Sequence, residues 1–226
     1  MSFVIIPPEF LKGISANSDR VPNKEIEHDS DRIPQLYYHT NTLARAFFWR
    51  RLKIIHDMIV EHVSNRRICV DFGCGAGVFL PTLSSLFEEV VAVDLYTRDA
   101  QMVVDKYKLP NVTLVEGDLY HEQLHIKTAD AIVGADVLEH FEKLESPVRL
   151  MKKWLGSEGR MFLSLPTENI FTRITRVIGG YGKPPDHYHT AAQVESYLRD
   201  KGMTPIMATQ LSRVYPLYRI SVWKSG

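Results

Sequence analysis

The chain has no run approaching the ~20 apolar residues that a membrane-spanning helix needs. Its first ten residues also lack a basic start and a long apolar core, so a cytoplasmic address is the default expectation. An excess of one charge is missing as well. Lys plus Arg and Asp plus Glu stand at 27 each, so no whole-chain field steers the protein towards nucleic acid, and no nucleic-acid partner is expected. Cysteine is scarce. Cys69 and Cys74 lie on one strand–turn unit that points them apart, which argues against a disulfide between them. Cys69 reads as a core residue, whereas Cys74 either touches a ligand or simply fills space. Internal repeats and low-complexity tracts are absent too, which leaves 226 residues free to form one α/β domain with extensions and a sizeable core.

What is present centres on the stretch from Arg67 to Gly77. Ile68, Cys69 and Val70 form a short apolar run that reads as a buried strand. Asp71 follows, then Gly73, Gly75 and Gly77 on alternate positions, and an apolar, helix-like segment opens at Val78. Glycines so placed let the backbone turn sharply and approach a ligand with no Cβ in the way. A strand turning through them into a helix presents free N–H groups beside that ligand. A dinucleotide fingerprint would place its third glycine one residue later, where this chain has Val78. The order Asp-x-Gly-x-Gly-x-Gly resembles motif I of class I S-adenosylmethionine-dependent methyltransferases. The resemblance implies that Asp71, Gly73, Cys74, Gly75 and Gly77 line the cofactor.

Taken in order, residues 1–40 carry four prolines, scattered charges and no sustained period, and read as a mobile N-terminal arm. From Thr42 to Ser64, Phe48, Leu52, Ile55, Ile59 and Val63 recur at helical spacing, with Arg50, Arg51 and Lys53 read as a solvated face. A helix over Val78–Phe87 leads to a strand, Glu89–Asp94. Asp94 stands about 20 residues beyond the first glycine, where a carboxylate can accept from both hydroxyls of a ribose. A helix over Asp99–Tyr107 precedes the strand Val112–Val115, and Asp118 follows behind Gly117. The resemblance assigns Asp118 to the adenine amino group; the plain alternative is a turn aspartate. Leu95 and Leu119, next to the two carboxylates, join the expected cofactor lining.

Ala129–Ala135 reads as a fourth strand. Ser146, Pro147 and Gly156 then punctuate a helix as N-cap, first residue and terminator, and Arg160–Leu165 is the fifth strand. Thr190 and Gln193 make a capping box for a helix that Gly202 closes. Met203–Thr209 and Leu217–Trp223, joined by a short link with a turn at Pro216, must pair antiparallel. The fold expected is α/β, a Rossmann-like, mostly parallel seven-stranded sheet with an antiparallel last strand and helices on both faces. Residues 41–226 would form that single domain, with an insertion at about 167–189.

After the fourth strand come Asp136, Val137, Leu138, Glu139 and His140. This acid-x-x-Glu-His order resembles small-molecule methyltransferases, including the ubiquinone-biosynthesis O-methyltransferase group. The activity implied is methyl transfer from S-adenosylmethionine to a small-molecule or lipid-linked acceptor at oxygen. His140 is the base candidate, with Asp136 beside it, because an imidazole is largely neutral at cellular pH; the alternative is a histidine that only holds the loop. In some relatives the same motif with a later histidine holds a divalent metal, which would here draw on Asp136, Glu139, His140 and either His187 or His189. Such donors suit Mn²⁺, Fe²⁺ or Zn²⁺ better than Mg²⁺.

In the insertion, Ile170, Phe171, Ile174, Val177, Ile178 and Tyr181 share a helical face, with Arg173 and Arg176 opposite. This basic amphipathic segment, residues 170–181, reads as a substrate lid, an internal packing helix or a peripheral membrane contact. Two other functions fit less of the chain. A nicotinamide-dependent oxidoreductase conflicts with the glycine offset and the antiparallel finish, and a cofactor-binding protein without turnover leaves the Asp136/Glu139/His140 group unexplained. The acceptor and the oligomeric state are not encoded in any motif.

Overall fold

The computed structural model describes residues 2–17, 33–119, 126, 128–167, 187–212 and 217–226. Seven strands make one sheet: β1 (Ile68–Phe72), β2 (Glu89–Asp94), β3 (Val112–Glu116), β4 (Ala129–Ala135), β5 (Leu155–Pro166), β6 (Met203–Gln210) and β7 (Tyr218–Ser225). Their order is β3-β2-β1-β4-β5-β7-β6. β1 to β5 are parallel, and β7 runs antiparallel to both β5 and β6, as the short link between the last two strands requires. The reversal of order at β1 and β4 puts the ends of these two strands beside the crevice where open α/β sheets bind ligands.

Strand period 2 divides the apolar residues between the two faces. Cys69, Val90, Ala92, Ala131 and Val133 pack with α2 (Thr42–His62), α3 (Leu80–Leu86) and α4 (Arg98–Tyr107). Val70, Phe72, Val91, Val93 and Ile132 pack with α5 (Glu145–Trp154) and α6 (Ala191–Asp200). Helices therefore cover both faces.

The helix ends are mostly set by local chemistry. Asn41 caps α2 by accepting from the N–H groups of Leu43 and Ala44. Thr190 and Gln193 form the expected capping box of α6, and Gly202 closes that helix at φ +79°. α5 differs from expectation: it begins at Glu145 behind Leu144, so Ser146 lies within its first turn and is not the cap. α3 begins at Leu80 rather than Val78, because the glycine turn runs on to Phe79.

The arm also needs correction in its described part. Pro8–Asn17 form α1, and Ile6, Leu11, Ile14, Ile33 and Tyr37 are buried in the same apolar layer as α2 and α3. Apolar spacing within this short segment is enough to dock it, despite the prolines around it. Residues 18–32 lie outside the described residues, as does the amphipathic segment 170–181. No helix among the described residues is long and apolar enough to cross a membrane.

Candidate active site

β1 ends at Phe72 and the chain turns at once. The Gly73 and Cys74 N–H groups both donate to the Val93 carbonyl, at 2.8 and 3.1 Å, which clips the turn to the end of β2. Gly73 sits at φ +73°, and a Cβ there would lie 2.3 Å from Cγ2 of Val137. Only glycine lets the loop after β4 approach the turn this closely. Asp94 then fixes the tip, because its Oδ2 accepts from Gly75 N–H at 2.8 Å and its Oδ1 from Tyr96 N–H at 3.3 Å.

The other expected cofactor residues differ in burial. Leu95 is exposed, Asp118 half-buried and Leu119 buried against the α5 face. Cys74 is packed in the apolar layer, and burial, with the charges of Asp71 and Asp94 behind it, pushes its thiol well above the usual range. It is an inert filler there rather than a nucleophile. Asp71 is 4% exposed on β1, and burial, followed by the Asp94 charge, raises its carboxyl to about 7.

The loop after β4 separates the residues that sequence order had grouped. Asp136 adopts φ +58° and is anchored on several sides. Its N–H donates to the Ser164 carbonyl at 2.9 Å, and Ser164 Oγ donates to its Oδ1 at 3.1 Å. Arg51 Nη1 makes an ion pair with its Oδ2. These contacts tie Asp136 to α2 and β5, and it is not part of the group that the next residues of the loop form.

Glu139, His140 and His187 do come together, with one candidate ligand atom from each lying within 4.8 Å of the others. The two imidazoles meet edge to face at 4.9 Å between centroids. Tyr188 N–H donates to the Glu139 carbonyl at 2.8 Å, which ties the segment before α6 to this loop. His189 faces elsewhere, its Nε2 lying 3.2 Å from the Glu142 carbonyl. Of the two later histidines, His187 is the one that joins the cluster.

Arg51 was missed. Read as part of a solvated face, it is 2% exposed and stacks among Phe48, Tyr218 and Tyr37, at 4.3, 4.9 and 5.7 Å from their ring centroids. The signal was present: Arg51 lies three residues after Phe48 and four before Ile55, on the apolar stripe. A cation on that stripe calls for a buried anion.

A sheet of this order, a glycine turn after β1 and carboxylates beyond β2 and β3 define a Rossmann-like protein built to hold a nucleoside cofactor. Residues 70–163 match the sequence model of the family described as methyltransferase domain. That match, over less than half of the chain, supports an S-adenosylmethionine-dependent methyltransferase. Solved structures share the fold. Magnesium protoporphyrin IX methyltransferase from Synechocystis PCC 6803, with bound SAH, is 20% identical with a TM-score of 0.70, covering 89% of this chain and 97% of that one. The N-methyltransferase NodS from Bradyrhizobium japonicum WM9, in complex with S-adenosyl-L-homocysteine, is 16% identical at TM-score 0.63, covering 96% and 97%. The PH0226 protein from Pyrococcus horikoshii OT3 is 18% identical at TM-score 0.67, covering 86% and 97%. Among curated proteins, none matches the chain significantly in sequence.

Proposed function

We propose that the enzyme methylates an oxygen of a small-molecule or lipid-linked acceptor, in the manner of the ubiquinone-biosynthesis O-methyltransferase group that its post-β4 sequence resembles. The observation that carries this reading is the meeting of Glu139, His140 and His187 on the loop after β4. That loop rests on the glycine turn through Val137.

S-adenosylmethionine supplies a methyl on a positively charged sulfur, so the driving force comes with the cofactor. Asp94 takes the ribose hydroxyls, Asp118 the adenine amino group, and the backbone from Gly73 to Gly77 makes room for the rest. His140, exposed on its 3-10 turn, accepts the acceptor's hydroxyl proton as the new carbon–oxygen bond forms and the methyl–sulfur bond breaks. Residues 41–226 act as the methyltransferase domain.

The same cluster supports a second role. One carboxylate and two imidazoles fit Mn²⁺, Fe²⁺ or Zn²⁺, and an ion on Glu139, His140 and His187 would lower the pKa of an acceptor hydroxyl. His140 cannot be base and ligand at once. Purified protein with S-adenosylmethionine should therefore be offered hydroxyl acceptors, including lipid-linked phenols in vesicles, and amine acceptors, with and without EDTA. S-adenosylhomocysteine should accumulate with a hydroxyl acceptor, and His140→Gln should slow its formation ~100-fold. Turnover lost on chelation favours the metal role, and turnover retained favours the base. Turnover with amines and none with hydroxyls overturns the oxygen assignment.

A further inference from the structure

We propose that Arg51 is a positioning residue for cofactor binding. Through Asp136 it seats the loop after β4 against the glycine turn, and Tyr37 at the end of the N-terminal arm holds it there.

Asp136 occupies the left-handed region at φ +58°, which a residue with a Cβ adopts only rarely. Such a conformation persists where the surroundings over-determine it. Here two elements do so. Ser164 on β5 grips the backbone and one carboxylate oxygen, while Arg51 on α2 takes the other oxygen. The next residue, Val137, is the side chain that fills the space a Cβ would need at Gly73. The direction in which the chain leaves Asp136 therefore sets the floor of the cofactor turn.

Arg51 is itself fixed. Its other terminal nitrogen, Nη2, donates to the Tyr37 hydroxyl at 2.6 Å, and Trp49 Nε1 donates to the Tyr37 carbonyl at 3.3 Å. Phe48 and Tyr218 stack on the guanidinium. Burying this cation would be costly without the Asp136 charge, and apolar residues of the same size would fill the space at least as well. Stability alone gives no reason for a charged pair here. A fixed direction for one carboxylate does.

This inference rests on the reading that the Gly73 turn holds the cofactor, and the test separates the two. S-adenosylhomocysteine is titrated calorimetrically into the full chain and into Arg51→Met, Arg51→Lys, Asp136→Asn and the Arg51→Met/Asp136→Asn double variant, with thermal unfolding followed in parallel. Arg51→Met should weaken binding about tenfold or more and should also lower Tm, because Asp136 loses its cation; calorimetry well below the transition keeps the two effects apart. Arg51→Lys should recover most of that loss, because the charge can still reach Asp136. The double variant should stay as weak as the singles, since neutrality without an anchor leaves the loop unplaced. If Arg51→Met binds like wild type, or the neutral double variant regains full affinity, Arg51 only fills space or balances charge and the inference falls. A wild-type chain that ignores S-adenosylhomocysteine would instead sink the reading of the turn.

Discussion

The cradle around Gly73 and Asp94 draws on one short reach of chain, from the end of β1 to the end of β2. Its contacts are mostly backbone N–H groups meeting a carbonyl or the Asp94 carboxylate. The loop after β4 is assembled otherwise. Arg51 comes from α2, Tyr37 from the arm, Ser164 from β5 and His187 from the segment before α6. A backbone-built site has few side chains to lose, so it fails when its shape is changed. A site built from distant side chains fails when partners are separated. The first also leaves a local pattern in the sequence, and the second does not.

Two substitutions in the cradle should break the comparison hardest. Gly73→Ala puts a Cβ into Val137 and a side chain onto a backbone at φ +73°. Binding of S-adenosylhomocysteine by calorimetry should fall by ~100-fold or more, given the strain and the clash together. Undiminished affinity would mean that the turn does not shape the site. Asp94→Ala removes the proposed ribose acceptor and also the carboxylate that the Gly75 and Tyr96 N–H groups donate to. Its affinity should drop by roughly 10- to 100-fold, the range for hydrogen bonds to a charged group. Wild-type uptake by this variant would remove the ribose assignment.

The legibility of the molecule follows the same division. The parallel strands, the antiparallel β7, the Thr190 capping box and the Gly202 stop were readable because each rests on neighbours within a few residues. The turn from Asp71 to Gly77 was readable for the same reason. The loop was readable in composition but not in roles. Asp136, Glu139 and His140 are close in sequence, yet the left-handed backbone at Asp136 and the Arg51 ion pair turn its carboxylate away from the other two. Arg51 was hidden because a basic residue in an amphipathic helix usually faces water, and its anion lies far along the chain. α1 was hidden because the spacing of Ile6, Leu11 and Ile14 gains meaning only against the layer they dock on.

The smallest expected effect lies beneath the cradle, where one side chain does matter. Asp71 has an ordinary value of 3.8, raised to about 7 in the fold by burial and by the neighbouring Asp94 charge. Between about pH 4 and pH 7 the unfolded chain releases this proton while the folded chain keeps it. The fold bears no such cost below the unfolded pKa, loses stability progressively as pH rises through the window, and bears the full cost above about 7. Asp71→Asn keeps the shape and removes the titration. At pH 5 the folded wild type keeps the proton but its unfolded chain has already released it, so the variant should melt slightly higher in the absence of ligand. By pH 8 the variant should melt higher by a few degrees, the gap opening with pH. A constant gap from pH 5 to 8 would mean that Asp71 is already ionised in the fold.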